Sequence, residues 1–279
     1  MRVEIPHFKT KKERFSYLKK NVKEIISKKK SMPITSDDYS YGCKSISYGK
    51  DTNKPNIKTV KVDEALSDNE IKVEVIANLS GWCDSHHDVL ISDCWKKTIS
   101  ERGASNKQLI YHLKNHNYST DAIVGKCVEM SSENIDLSQF NIGSQIKTAQ
   151  ALIGCSIVSK KYDKKVFELY YDDEIKQHSI GLRYMKLYLC INSEDEDYKE
   201  EKANWDKYYS QVINKDKVDK LGFFWAVTEI KLLEYSAVLF GSNELTTVQS
   251  TSKNIEPSDT DTQKNEPSSD TQNEHLFII

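Results

Sequence analysis

The chain alternates apolar and polar residues in several separated runs, each of which reads as a half-buried strand. Residues 71–79 open the series, with Ile71, Val73, Val75, Ala77 and Leu79 interleaved with Lys72, Glu74 and Asn78. Residues 108–113, 122–128 and 148–159 follow as further strand candidates. A longer run places Ile180, Leu182, Tyr184, Leu187, Leu189 and Ile191 at mostly every second position. The last run, 223–240, is too long for one flat strand, so a bend or bulge is expected within it.

Between these runs the spacing turns helical. In residues 8–30 Phe15, Leu18, Val22, Ile25 and Ile26 share one face and lysines cover the other, which suits a solvated surface helix or one that binds a partner. Residues 93–102, with Asp93 as N-cap, and 163–175, with Val166, Phe167, Tyr170 and Glu174 in step, read as helices. Residues 193–221 read as one amphipathic helix carrying Trp205, Tyr208 and Val212. Residues 31–69 have linker composition. From about 249 the chain is too polar to offset its ordering entropy and is expected to be disordered up to the apolar end at Leu276 to Ile279. The expected division is a basic segment and linker at 1–69, a folded domain at 70–248 and an acidic tail at 249–279.

The low apolar fraction of 38% fits one core with polar appendages. The net charge of -2 hides an asymmetry: residues 9–30 hold ten Lys or Arg against Glu13 and Glu24, whereas 249–279 hold two lysines against six acids. Opposite charge at the two ends suggests interaction segments flanking a folded middle. The basic segment is short and poor in arginine and aromatics, which argues against nucleic acid as its partner. Six dispersed cysteines without a Cys-x-x-Cys pair suit reduced thiols in a cytosolic compartment. No run approaches the roughly 20 apolar residues of a membrane span, so no membrane role is expected.

Candidate chemistry falls in three places. Cys83, His86, His87 and Cys94 supply possible zinc ligands, but adjacent His86 and His87 tend to point apart, and a turn containing Asp84 and Asp88 is the favoured reading. Ser179, in His178-Ser179-Ile180-Gly181, begins a strand, and His116 lies just past another strand end, where a sheet can hold it beside a cleft. Glu234 is a carboxylate on an otherwise apolar alternation, either a catalytic acid or an ordinary ion-pairing residue. Arg183 suits an oxyanion contact through water or its backbone, or a surface ion pair.

Five short pieces in order carry a resemblance: Asp84-Ser85-His86-His87-Asp88-Val89, His116-Asn117, Ile123-Val124-Gly125-Lys126, His178-Ser179-Ile180-Gly181 and Glu234-Tyr235-Ser236-Ala237-Val238. Together, over residues 70–248, they resemble the prohead (capsid maturation) serine proteases of tailed bacteriophages, which are similar in fold to herpesvirus assemblin. The resemblance implies an α+β fold, mainly an antiparallel β-barrel of six or seven strands with helices outside. It implies Ser179 as nucleophile and His116 as base, with His112 as the alternative, and no cofactor. Glu234 is the candidate third member, a role an acid can fill on unrelated folds. His178 is a poor base for Ser179, since neighbours on a strand point to opposite faces. The family usually has Asp after its histidine, where this chain has Asn117. The implied setting is the immature capsid in the host cytoplasm, with the phage's major capsid protein, its scaffold segments and the enzyme itself as substrates. Self-association is a further implied contact. The alternative is a fold that has lost catalysis and serves as a scaffold-like capsid assembly protein.

Overall fold

The computed structural model describes residues 5–31, 33 and 66–252. Most of the expected linker, Cys43 and the tail beyond Ser252 lie outside the described residues. In chain order the elements are α1 (Lys11–Ser31), β1 (Glu70–Leu79), β2 (Asp88–Leu90), α2 (Lys96–Arg102), β3 (Tyr111–Lys114), β4 (Ile123–Asp136), β5 (Thr148–Ser159), α3 (Lys164–Tyr171), β6 (Gln177–Ile191), α4 (Lys199–Tyr208), α5 (Lys215–Leu221), β7 (Phe223–Val238) and β8 (Thr247–Ser252).

The expected barrel is corrected to an open, mixed sheet of eight strands. Hydrogen bonding runs from β6 to β7, then through β3, β4, β5 and β1 to β8. β6 lies antiparallel along one edge of β7, while β2 and β3 share the other edge, both parallel to it. Two parallel pairings at one strand cannot be read from alternation, which reports which residues are buried and says nothing of strand direction or closure. β2 escaped detection because it is three residues long and buried throughout. The last four residues of β8 fall in the segment expected to be tail from 249, yet the strand pairs with β1 from Lys72↔Ser252 to Ile76↔Thr247.

The expected bulge in the last strand is present, and there is more than one irregularity. Gly181 pairs with Glu234 and Leu182 with Leu232, which leaves Leu233 unpaired; Lys186 pairs with Glu229 and Leu187 with Val227, which leaves Thr228 unpaired. Each extra residue reverses the alternation. As a result Tyr235 and Ala237, then Leu232 and Ile230, then Val227, Trp225 and Phe223 all reach one core. That core also takes Val73, Val75 and Ala77 from β1, Phe167 and Tyr170 from α3, and Ile180, Leu182 and Tyr184 from β6.

The basic N-terminal helix is part of the same core. Phe15, Leu18, Ile25 and Lys29 of α1 are buried, at the helical spacing that the sequence shows. Lys29 enters the core, 4% exposed, and its ammonium lies 2.6 Å from Asp88 Oδ1. The Tyr184 hydroxyl donates to Asp88 Oδ2, and the ammonium stands 5.2 Å from the Tyr184 ring centroid and 5.7 Å from that of Trp225. Asp84 does belong to the turn, where its Oδ1 accepts from the backbone N–H groups of His86 and Asp88. Asp88 instead anchors α1.

Other helix expectations shift in detail. Asp93 is not the N-cap of α2: it sits at φ 68°, its Oδ1 accepts from Gln150 Nε2, and Trp95 occupies the cap position. Asp163 does cap α3, accepting from the Val166 N–H. The single helix expected over 193–221 is two helices, α4 and α5, separated at Tyr209–Gln211 and Val212.

Removing one partner of a buried ion pair strands the other charge, at about 3–5 kcal/mol. Lys29→Ala is therefore expected to lower the unfolding free energy by about 3 kcal/mol or more in urea titrations, and Lys29→Ala with Asp88→Asn to recover part of it. An unchanged urea midpoint in Lys29→Ala would show that the Lys29–Asp88 pair makes no net contribution to the stability of the domain.

Candidate active site

His116 is delivered by an unusual turn. After β3 ends, Asn115 and His116 take φ values of 53° and 52°, the left-handed region that costs most residues about 1–2 kcal/mol. Three hydrogen bonds hold the turn: Asn115 N–H donates to Ala237 O at 3.0 Å, His116 N–H to Ser236 Oγ at 3.1 Å, and Asn117 N–H to Lys114 O at 3.1 Å. Two of the three acceptors belong to β7. Asn117, where the resemblance leads one to expect Asp, accepts from the Ser119 N–H and shapes the following turn.

The turn aims the His116 ring at Glu234. Nδ1 and Oε1 are 2.7 Å apart, with both side chains almost wholly buried. A carboxylate accepts, so Nδ1 is the donor of this bond, and in the neutral ring Nε2 then carries the lone pair. The second oxygen of Glu234, Oε2, accepts from the Ser236 hydroxyl at 2.7 Å. Ser236 thus donates to the acid and accepts from the histidine backbone, a role that reading residue by residue did not assign. The signal was present in Glu234-Tyr235-Ser236, because residues two apart on a strand share a face.

Ser179 reaches the same face through the ladder, and among the described residues its hydroxyl makes no hydrogen bond to His116 or any other group. This serine is the cross-strand partner of Ser236, and Gly181 is the partner of Glu234. Directly opposed residues have Cβ atoms about 4.5–5.5 Å apart on one face. Ser179, Gly181, Ser236 and Glu234 therefore share a face, while Ile180 and Tyr235 turn to the core. Ser179 is buried, at 3% exposure. Gly181 is a close-approach position: a Cβ there would overlap Glu234 Oε1 and crowd the Tyr118 hydroxyl. Tyr118, itself 53% exposed, lies over the site from the His116 segment.

The other two histidines considered lie on the opposite face of the sheet. His112 Nε2 is 2.9 Å from the Tyr170 hydroxyl, and the same hydroxyl is 2.6 Å from His178 Nε2. His112 also stacks on Tyr235, 4.5 Å between centroids. Burial pushes His178 down to about 3, and burial together with His178 pushes His112 well below the usual histidine range. Both rings are structural neutral groups, separated from Ser179 by the strands that carry them. Arg183 lies further along β6, exposed, on the Ser179 face.

The Cys83, His86, His87 and Cys94 group does not converge: among the described residues no three metal-capable side chains cluster. Cys83 and Cys94 are buried thiols raised well above their usual range by desolvation. Comparison with protein-family models, curated proteins and solved structures gave no match.

The neutral pair sets a pH dependence. Each ring is neutral in the fold but takes a proton at about 6.5 when unfolded, so the unfolded chain binds more protons below that pH. Stability is expected to fall as pH drops from about 6.5 towards 3, by up to about 1.4 kcal/mol per pH unit for each histidine. Urea titrations at stepped pH should show that slope reduced by one proton in His178→Gln. An unaltered slope would mean that His178 is protonated in the folded chain.

Proposed function

We propose that the chain is a serine hydrolase acting on peptide bonds, with Ser179 as nucleophile, His116 as general base and Glu234 as the acid behind it. More narrowly, it is a capsid maturation endopeptidase of the prohead protease kind, working inside the immature capsid. The observation that carries the first step is the buried Glu234–His116 hydrogen bond on the sheet face that presents Ser179. The narrower step rests on the five-piece sequence resemblance.

Chemistry follows from the groups present. Ser179 Oγ attacks the scissile carbonyl while His116 Nε2 accepts its proton and passes it to the departing amine. Water then attacks the Ser179 ester as Nε2 takes its proton, and Nε2 returns that proton to Ser179 Oγ as the C–O bond breaks and the acid product leaves. Glu234 fixes the tautomer and stabilises the imidazolium that forms in each step. Ser236 holds the remaining carboxylate oxygen, so the acid keeps its orientation as the ring gains charge. The proposed substrates are the major capsid protein, scaffold segments and the enzyme's own chain.

The test is intact mass of the wild type and Ser179→Ala after incubation, alone and with the major capsid protein of the same genome. Trimming by the wild type with none by Ser179→Ala is expected. If neither cuts under assembly conditions, the reading fails in favour of a non-catalytic capsid protein.

Once a cut site is known, Glu234→Gln is expected to lower kcat by about 10⁴, since an amide in place of the acid can favour the wrong tautomer. Ser236→Ala removes a hydrogen bond to a charged group, worth about 1.5–3 kcal/mol, and should lower kcat about ten- to a hundredfold with KM little changed. Steady-state kinetics on the excised substrate peptide would check both, and a Ser236→Ala enzyme with full kcat would remove Ser236 from the positioning role.

A further inference from the structure

Two pairs beyond Gly181 on the same face, Arg183 stands directly opposite Lys231 in the β6–β7 ladder. Both are exposed, and neither side chain makes a hydrogen bond or ion pair among the described residues. Like charges facing each other across a strand pair are destabilising. The next cations along the strip are already engaged, since Lys97 and Lys186 both reach Glu229, at 3.1 and 2.5 Å. What remains is one uncompensated cation pair, about four strand residues or roughly 13 Å from Ser179, on the face that carries it.

We propose that Arg183 and Lys231 form a docking site for carboxylate side chains of an acidic peptide drawn along this face towards Ser179, and that in this chain the occupant is the segment 253–279. This deepens the endopeptidase reading by naming the chemistry of a bound peptide, and its functional sense rests on that reading. Charge supports the choice, because the segment holds Glu256, Asp259, Asp261, Glu266, Asp270 and Glu274 against Lys253 and Lys264. Reach supports it too: the segment follows β8, whose partner β1 packs against β6 in the shared core, and if extended it spans about 90 Å. An arginine fork and an ammonium side by side suit carboxylates on an extended chain. Two free cations are too few to hold a nucleic acid, whose affinity grows with the number of phosphates neutralised.

The test couples touching amines and carboxylates with a water-soluble carbodiimide in the full-length Ser179→Ala protein, which keeps the segment attached whether or not the enzyme cuts itself. Mass spectrometry is expected to find Lys231 joined within one chain to acids of 253–279, in about fivefold or greater excess over exposed Lys126. Arg183→Ala, which leaves Lys231 in place, should remove most of that excess, as should about 0.5 M salt. Yield at Lys231 no greater than at Lys126, coupling only between differently isotope-labelled copies, or protection of Lys231 by co-purified nucleic acid would each overturn the proposal. Coupling at Lys231 without self-trimming by the wild type would leave the docking standing and remove the endopeptidase reading. Trimming without such coupling would do the reverse.

Discussion

Both edges of β7 are occupied, and that double pairing is the constraint on which the rest depends. One edge takes β6 with Ser179 and Gly181; the other takes β2, whose Asp88 receives α1, and β3, whose end throws out the His116 turn. Its own side chains supply Glu234 and Ser236 to one face and Tyr235 and Trp225 to the core. Backbone hydrogen bonds along one strand thereby set the relative positions of serine, histidine and acid, which come from three distant parts of the chain. A sheet is stiffer than a loop, and this suits the proposed catalysis, whose geometry must hold within a fraction of an ångström.

Polar groups are divided by the sheet into two differently bonded sets. On the core face the Tyr170 hydroxyl lies between two imidazoles with no carboxylate bonded to them, and desolvation keeps those rings neutral. On the other face a single imidazole meets a carboxylate whose second oxygen is also bonded. The strained turn at Asn115 and His116 belongs to this arrangement, because its bonds to Ala237 and Ser236 tie the histidine backbone to the strand that bears the acid.

Much of this was legible where burial is periodic. Residues 148–159 show their strand in full, and the apolar face of α1 is spaced as its burial requires. The placing of Lys29 was not legible, since a lysine at the end of a basic helix looks like every other solvated lysine until a buried acid is found beneath it. Pairing direction was equally hidden, and the barrel expectation failed there. Glu234 stood out as a charge on an apolar alternation, but the premise was only locally true: the unpaired Leu233 puts Leu232 and Ile230 on the opposite side from Glu234. Sequence could pair His116 with neither Glu234 nor Ser236, because those contacts join segments some 120 residues apart.

The two unpaired residues of β7 also work as frame shifts in a code of period two. Upstream of Thr228 the reading frame belongs to the core around Trp225, and downstream of Leu233 it belongs to the acid and its serine. Deleting Leu233 would make Leu232 and Glu234 neighbours on opposite faces, still opposite Leu182 and Gly181, so both halves would keep their phase. Substitutions can therefore be tuned separately in the two halves of β7, and its length can shrink at an unpaired position without bringing one half out of phase with the other.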